Sequence, residues 1–301
     1  GLPGRTAGRP VRQFASEGRC MAERVRMTPD GIPVPPPSPN DVLFREQDGI
    51  GWITLNRPVV LNAVDWSLRR RLMAALEWAE AEDAVKVVVL HGAGRSFCAG
   101  GDIQSTPPED GLPSPGAMEI CMAIWRMPKP VIAAVQGHAV GQGCEFAGTC
   151  DLTIAAEDAK FGEIQIRHGF GPPILITPYL AGPKQAKELL LLGEMYDAQE
   201  AMRLGLVNRV VPTERLLAEA EQMAKKLAAL KQSTVRLNKL LVNRVHELAG
   251  LAAGLDYRDD PVVQAYLQGA ESQQSEHLKV LRERGWEAFR ASRDALYRQQ
   301  S

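Results

Sequence analysis

Two strand-length apolar runs, each followed at once by glycines, constrain the fold of this 301-residue chain most strongly. The first is VKVVVL (85–90), which leads into HGAGRSFCAGGD, and the second is PVIAAV (130–135), which leads into QGHAVGQGCEFAG. A continuous apolar run of this length is typical of a strand covered on both faces, as in a parallel sheet. Glycine at such a strand end lets the backbone approach a ligand closely. The two junctions predict an α/β core with a site at its strand ends.

The second junction resembles a dinucleotide-binding turn only superficially. Gly141 and Gly143 follow a strand and open a helix, but no third glycine completes the pattern. A βαβ crossover needs a helix of about a dozen residues between its two strands. The next strand-like run, DLTIAA, already begins at Asp151, which leaves too few residues after Gly143 for such a helix. If the two junctions meet, each can instead direct one N–H at the same point and form an oxyanion hole. Glycine content alone leaves two ordinary loop turns as the alternative.

The patterns along the chain divide it into three predicted regions. Residues 1–40 are rich in Arg, Gly and Pro without an apolar period, and we expect a flexible extension that ends in a proline-rich linker. Residues 41–230 contain strand-like runs and amphipathic helices, which predict an α/β core. Residues 231–301 carry helical patterns only and are predicted to form a C-terminal helical region.

Two local signals mark the start of the core. The runs VLFREQ and IGWITL flank Asp48-Gly49, which supplies the positive φ angles of a tight turn and predicts a β-hairpin. Asp65 is a helix N-cap residue, and apolar residues follow it at helical spacing. They are Leu68, Leu72, Ala75, Leu76 and Ala79.

Composition excludes several classes of function. Lys+Arg 35 against Asp+Glu 36 leaves a formal net charge of −1, which gives no overall attraction to nucleic acid. No apolar run approaches the roughly 18 residues of a membrane helix, and the five cysteines form no CxxC pair. We therefore predict a cytoplasmic protein without nucleic-acid or membrane partners. No metal-ligand spacing and no G-x-S-x-G elbow is present, so neither a metal nor a covalent serine is predicted.

Several motifs, in matching order over roughly residues 41–290, resemble the enoyl-CoA hydratase/isomerase (crotonase) family. They are LNRPVVLNAVD (55–65), SFCAGGDI (96–103), GHAVGQGCEFAGTCDLTIA (137–155) and AKFGEIQIRHGFGPP (159–173). The resemblance implies a crotonase-like spiral of ββα units with a helical C-terminal trimerisation region. It also implies an acyl-CoA substrate, a stabilised thioester enolate, and a homotrimer or a dimer of trimers.

The resemblance assigns the catalytic residues one by one. The oxyanion donors are the N–H groups of Gly101 and Gln142, where many relatives have glycine at the second position. Glu145, one helical turn after Gln142, matches the first of two glutamates that act as acid and base. The second glutamate is replaced here by Gln165, which cannot exchange a proton at neutral pH. Glu163 is a candidate replacement, since residues two apart in a strand-like register point to the same side.

The CoA part of the substrate is the only cofactor-like group that the resemblance implies. Arg57 and the backbone at Leu61 and Ala63 match the loop that binds CoA in the family. Ala99 and Asp102, which flank the first oxyanion donor, are assigned to the same binding surface.

Three functions follow as hypotheses. The first is an enoyl-CoA hydratase/isomerase with Glu145 as acid and base. The second is a reaction that needs one carboxylate, such as double-bond isomerisation, because the second glutamate is Gln165. The third is a non-catalytic family member that binds CoA or RNA.

Overall fold

The computed structural model describes residues 33, 36–105, 111–169, 171–172, 174–255, 260–295 and 297. Most of the predicted N-terminal extension, residues 1–32 and 34–35, lies outside the described residues. At its end, Ser38 caps a 3-10 turn, Pro39–Asp41, by accepting a hydrogen bond from the N–H of Asn40. The first strand follows directly.

The strands of the described residues form two sheets. The larger sheet has the order β1-β2-β3-β4-β6-β9, with β1 antiparallel to β2 and the other neighbours parallel. The smaller sheet has the order β5-β7-β8. Their bounds are β1 Val42–Gln47, β2 Ile50–Leu55, β3 Val87–Gly92, β4 Val131–Val135, β5 His138–Val140, β6 Leu152–Ala156, β7 Lys160–Gly162, β8 Tyr196–Asp197 and β9 Arg209–Val211.

Helices cover both faces of the larger sheet and make up most of the C-terminal half. A backbone kink at Gly285 (φ 81°) divides the last helix. Their bounds are α1 Trp66–Ala81, α2 Ala117–Arg126, α3 Gln142–Thr149, α4 Thr177–Leu180, α5 Pro183–Leu192, α6 Ala198–Arg203, α7 Leu216–Ala229, α8 Gln232–Leu248, α9 Leu251–Leu255 and α10 Pro261–Arg293. None of the described helices is both long and apolar enough to cross a membrane.

The local predictions at the start of the core are confirmed. Asp48 (φ 56°) and Gly49 (φ 79°) form the turn of the hairpin between β1 and β2. Asp65 accepts a hydrogen bond from the N–H of Leu68 at 2.8 Å, and this caps α1. The five apolar residues predicted on the inner face of α1 are all buried.

Strand β3 explains why the apolar runs are continuous. Val88 and Leu90 face the core formed with α1 and α2, whereas Val87 and Val89 face the core formed with α7. Alternate side chains point to opposite faces of a strand, so a strand covered on both sides needs apolar residues throughout. The parallel strands end together at one edge of the sheet, and this edge carries the site.

Candidate active site

The two glycine junctions meet, as the oxyanion-hole interpretation requires. The N–H of Cys98 donates to the carbonyl of His138 (2.8 Å), and the N–H of Val140 donates to the carbonyl of Cys98 (3.0 Å). Glycine is needed for this approach. A Cβ on Gly100 (φ 96°) would lie 2.8 Å from the carbonyl oxygen of Val140, and one on Gly143 would lie 2.3 Å from that of Cys98. Any larger residue would separate the loops.

The loop before α1 packs against the first junction. The N–H of Val64 donates to the carbonyl of Gly100 (2.8 Å), and the N–H of Asp102 donates to the carbonyl of Val64 (2.9 Å). The N–H of Ala99 donates to the carbonyl of Leu61 (2.9 Å). Three segments far apart in sequence therefore form one wall, and they bring the predicted CoA loop beside the predicted oxyanion loop.

Arg57 braces these two loops from inside the protein. Its Nη1 donates to the carbonyl of Ala63 (2.6 Å) and lies 3.0 Å from Asp65 Oδ2 and 3.6 Å from Asp102 Oδ2. The side chain is buried. The guanidinium thus neutralises two carboxylates that would otherwise be buried together.

A cavity of about 270 Å³ opens where the junctions meet. The predicted site residues on its wall are Ala99, Gly101, Asp102, Gln142 and Gln165. Within the part of the chain that the structure describes, neither Gly101 nor Gln142 has an acceptor for its backbone N–H. Two free donors on one cavity wall are the arrangement that an oxyanion requires.

Gln142 keeps its backbone donor although many relatives have glycine there. It is the first residue of α3 and lies outside the left-handed region, so the side chain causes no backbone strain. The side chain lies beside the first donor, since a Cβ on Gly101 would be 3.2 Å from Gln142 Nε2. Its Oε1 is buried and accepts no hydrogen bond from the described residues.

Glu145, Glu163 and Gln165 form one buried hydrogen-bonded cluster. Gln165 Nε2 donates to Glu145 Oε1 (3.2 Å) and to Glu163 Oε2 (2.8 Å). Glu145 Oε1 also accepts from the N–H of Ile174 (3.3 Å), and Glu163 Oε1 accepts from Thr177 Oγ1 (3.1 Å). Glu145 Oε2 has no partner among the described residues. Gln165 lines the cavity, whereas the two carboxyls lie behind it.

A sequence model of the enoyl-CoA hydratase/isomerase family matches residues 45–299. The chain belongs to this family. Its curated relatives include a probable enoyl-CoA hydratase of Rhizobium meliloti (strain 1021), 42% identical over 223 residues, which are 72% of this chain and 86% of that protein. A crotonyl-CoA hydratase of Syntrophomonas wolfei is 36% identical over 211 residues, 67% of this chain and 81% of that protein.

Solved structures confirm the crotonase-like α/β fold that was predicted for this enoyl-CoA hydratase/isomerase family member. The structure of an enoyl-CoA hydratase/isomerase from Xanthobacter autotrophicus Py2 aligns with this chain at a TM-score of 0.75 and 34% sequence identity. The alignment covers 85% of this chain and 97% of that chain. The structure of a probable enoyl-CoA hydratase from Mycobacterium thermoresistibile aligns at a TM-score of 0.69 and 32% identity. That alignment covers 78% of this chain and 98% of the Mycobacterium chain.

Glu163 and Gln165 lie in contact, but not because the backbone between them is an extended strand, as expected from the sequence. The backbone forms a 3-10 helix from Ile164 to His168, and Glu163 is its N-cap residue. In such a helix, residues two apart do not share a face. The carboxyl and carboxamide meet because both side chains turn inward toward Glu145. The strand-like premise was wrong, although the two side chains do lie on the same side.

Burial dominates the acidity of the two carboxyls. It raises the pKa of Glu145 well above the ordinary value, and the neighbouring charge of Glu163 raises it further. Burial also raises the pKa of Glu163, to about 7. Two buried carboxyls so close together each raise the cost of ionising the other, which adds to the effect of burial. A pKa near neutrality, as at Glu163, suits a carboxyl that works both as acid and as base.

Among the residues of the cavity wall that sequence reasoning did not assign to the site is a cation, Arg69. It lies on α1 beside the buried Leu68 and one turn before the buried Leu72, on a helix with a charged outer face. The sequence pattern that could have indicated Arg69 is its place next to the apolar residues of α1, one helical turn after the N-cap residue Asp65. Only the packing of α1 against the glycine loop distinguishes it from the outward-facing Arg71.

Proposed function

We propose that this chain binds an acyl-CoA thioester and transfers a proton at the acyl chain through Glu145. The observation that carries the proposal is the pair of free N–H groups, from Gly101 and Gln142, on the wall of a cavity that adjoins the Glu145 cluster. Each such donor is worth about 10²–10³ in turnover when it binds an oxyanion. CoA is part of the substrate, and the proposal includes no separate cofactor.

The reaction uses the thioester oxygen as an electron sink. Removal of a proton from the carbon next to the thioester, or addition at the β-carbon, places negative charge on that oxygen. The N–H groups of Gly101 and Gln142 hold the charge, and the free Oε2 of Glu145 takes or returns the proton. Gln165 stands on the cavity wall in contact with Glu145, so its side chain controls access of the substrate to that carboxyl.

The hydrogen bonds of the cluster favour one-carboxyl chemistry. Both oxygens of Glu163 already accept hydrogen bonds, whereas Glu145 has a free one. One carboxyl suffices to remove and return a proton during double-bond isomerisation. Hydration is the second candidate, because a second carboxyl lies within the same cluster and the named relatives are hydratases.

One assay separates these functions. We would offer crotonyl-CoA and but-3-enoyl-CoA to the purified chain and identify the products by chromatography and mass spectrometry. Glu145→Gln should lower turnover of the accepted substrate by about 10²–10⁴-fold. Glu157→Gln, an exposed glutamate, is the matched control and should retain activity.

The outcomes against the proposal are distinct. Turnover by Glu145→Gln at the wild-type rate would refute the role of Glu145. Binding of CoA thioesters by the wild type without conversion of either substrate would favour the non-catalytic alternative. A gel shift with RNA at physiological salt would favour the RNA-binding form of that alternative.

We also propose that the chain assembles as a homotrimer or a dimer of trimers. Helix α8 has no buried residue, and an apolar face of this size on a free subunit is typical of an interface. The exposed apolar residues of α8 are Leu237, Leu240, Leu241, Val242, Val245 and Leu248. Lys239 fixes the helix to the core through an ion pair with Asp151 (2.7 Å).

A further inference from the structure

Helix α1 presents a cation to the candidate active-site cavity. Arg69 lies on its wall together with Gly101 and Gln142, the two residues with free backbone donors. Its position follows from the packing of the loop before α1 against the first glycine junction, through the bonds between Val64 and its neighbours in that junction.

The guanidinium of Arg69 has no hydrogen-bond acceptor or ion pair in the described part of the chain. Its Nε is buried. The guanidinium lies over the ring of Trp66, with its Cζ 5.5 Å from the ring centre. Burial lowers the pKa of Arg69, with the charge of Asp65 opposing the shift. A half-buried arginine keeps its charge, so the cavity wall carries a positive charge that no carboxylate of the described residues binds directly.

The neighbouring groups do not neutralise that charge. Asp65, whose charge acts on Arg69, is paired with Arg57 at 3.0 Å, and Asp102 on the cavity wall is paired with the same arginine at 3.6 Å. Gln142 and Gln165 add two neutral carboxamides whose carbonyl oxygens have no partner among the described residues. A plain alkyl chain in the cavity would remove water from Arg69 and offer nothing in return, which is costly for a charge.

We propose that the acyl group of the substrate ends in a carboxylate that Arg69 binds, so that the substrate is the mono-CoA thioester of a short dicarboxylic acid. This rests on the proposed function, since the acyl group is placed in the cavity by the oxyanion donors. The planar guanidinium accepts a carboxylate in two parallel hydrogen bonds. A cavity of about 270 Å³ suits a short acyl chain.

Binding of two saturated thioesters of equal shape tests the proposal without requiring turnover. Glutaryl-CoA carries the carboxylate, and 5-methylhexanoyl-CoA carries an isopropyl group in its place. We expect the wild type to bind glutaryl-CoA about 30-fold more tightly by isothermal titration calorimetry. Arg69→Met should abolish this preference, and Arg69→Lys should retain part of it. Arg71→Met, an exposed arginine of the same helix, is the control and should keep it.

Each other result overturns the proposal. Equal or tighter binding of 5-methylhexanoyl-CoA by the wild type would show that the cavity prefers alkyl groups. A loss of affinity in Arg69→Met that is equal for both thioesters would assign Arg69 to the CoA phosphates, which both ligands share. Turnover of glutaconyl-CoA and crotonyl-CoA by the wild type tests the proposed function separately. If the wild type converts either substrate but does not bind glutaryl-CoA more tightly than 5-methylhexanoyl-CoA, only the role of Arg69 is refuted.

Discussion

Glu145 and Glu163 are joined by a single donor, since both carboxyls accept a hydrogen bond from the same amide nitrogen of Gln165. The family pattern that the sequence resembles places a glutamate where Gln165 stands. The substitution does not leave one isolated carboxyl, because Glu163 supplies a second one to the same cluster. What changes is the role of position 165, which holds the two acids together and carries no proton itself.

The first prediction concerns the pH dependence of stability. Burial raises the pKa of Glu163 from its ordinary 4.5 to about 7 and raises that of Glu145 as well. Between about pH 4.5 and 7 the folded chain holds more protons than the unfolded chain, so the free energy of unfolding falls as the pH rises. Each pKa unit corresponds to about 1.4 kcal/mol. Glu163→Gln should flatten this dependence in urea titrations, and an unchanged slope would contradict the pairing.

The second prediction exchanges the acid and the amide. Gln165→Glu alone adds a third buried carboxyl and removes the shared donor, so we expect a loss of about 2 kcal/mol or more in the free energy of unfolding. The double variant Glu163→Gln, Gln165→Glu restores two carboxyls and one amide and should recover most of that stability. It should also hydrate crotonyl-CoA faster than the wild type. A double variant as unstable as the single one, or without a gain in hydration, would refute this account.

The third prediction removes one oxyanion donor without removing a side-chain function. Proline is tolerated at the first position of a helix and has no N–H, so Gln142→Pro deletes the donor while α3 can still form. We expect turnover to fall about 10²–10³-fold. Gln142→Ala keeps the N–H and serves as the comparison. Circular dichroism should be unchanged in both, and equal turnover of the two variants would exclude this N–H as a donor.

The fourth prediction distinguishes two roles for Arg57. If Arg57 braces the two loops, Arg57→Met removes the cation that lies 3.0 Å from the buried carboxylate of Asp65 and 3.6 Å from that of Asp102, and should cost about 3–5 kcal/mol of the free energy of unfolding. Arg126→Met, at an exposed position, should cost little. Urea denaturation measures both. Unchanged stability of Arg57→Met together with weaker CoA binding would mean that Arg57 acts directly on CoA.

The fifth prediction concerns assembly through α8. Leu241 and Val245 are 55% and 64% exposed on one subunit, and glutamate at both positions would place charge in a buried interface. We expect light scattering to show a trimer or a hexamer for the wild type and a smaller species for the double variant. Leu43→Glu, at an exposed apolar position of β1, should leave the assembly intact. A monomeric wild type at micromolar concentration would refute the proposal.

Much of the fold could be predicted because its determinants are local. The turn at Asp48 and Gly49, the capped helix after Asp65, and the apolar runs of β3 and β4 are each encoded within a few residues. The smaller sheet was not predicted, because its strands are two or three residues long and are held by pairing across the chain. Such short segments carry too little periodicity to be recognised in sequence.

The sequence by itself determined that the backbone N–H groups of the two junctions can lie side by side, since only glycine at positions 100 and 143 allows the two loops to approach so closely. Tertiary structure alone decided the acidity and charge of the site. The pKa values of Glu145 and Glu163 depend on burial and on each other, and the unpaired state of Arg69 depends on which helix face meets the cavity. These properties arise from distances between residues far apart in the chain, which no local pattern specifies.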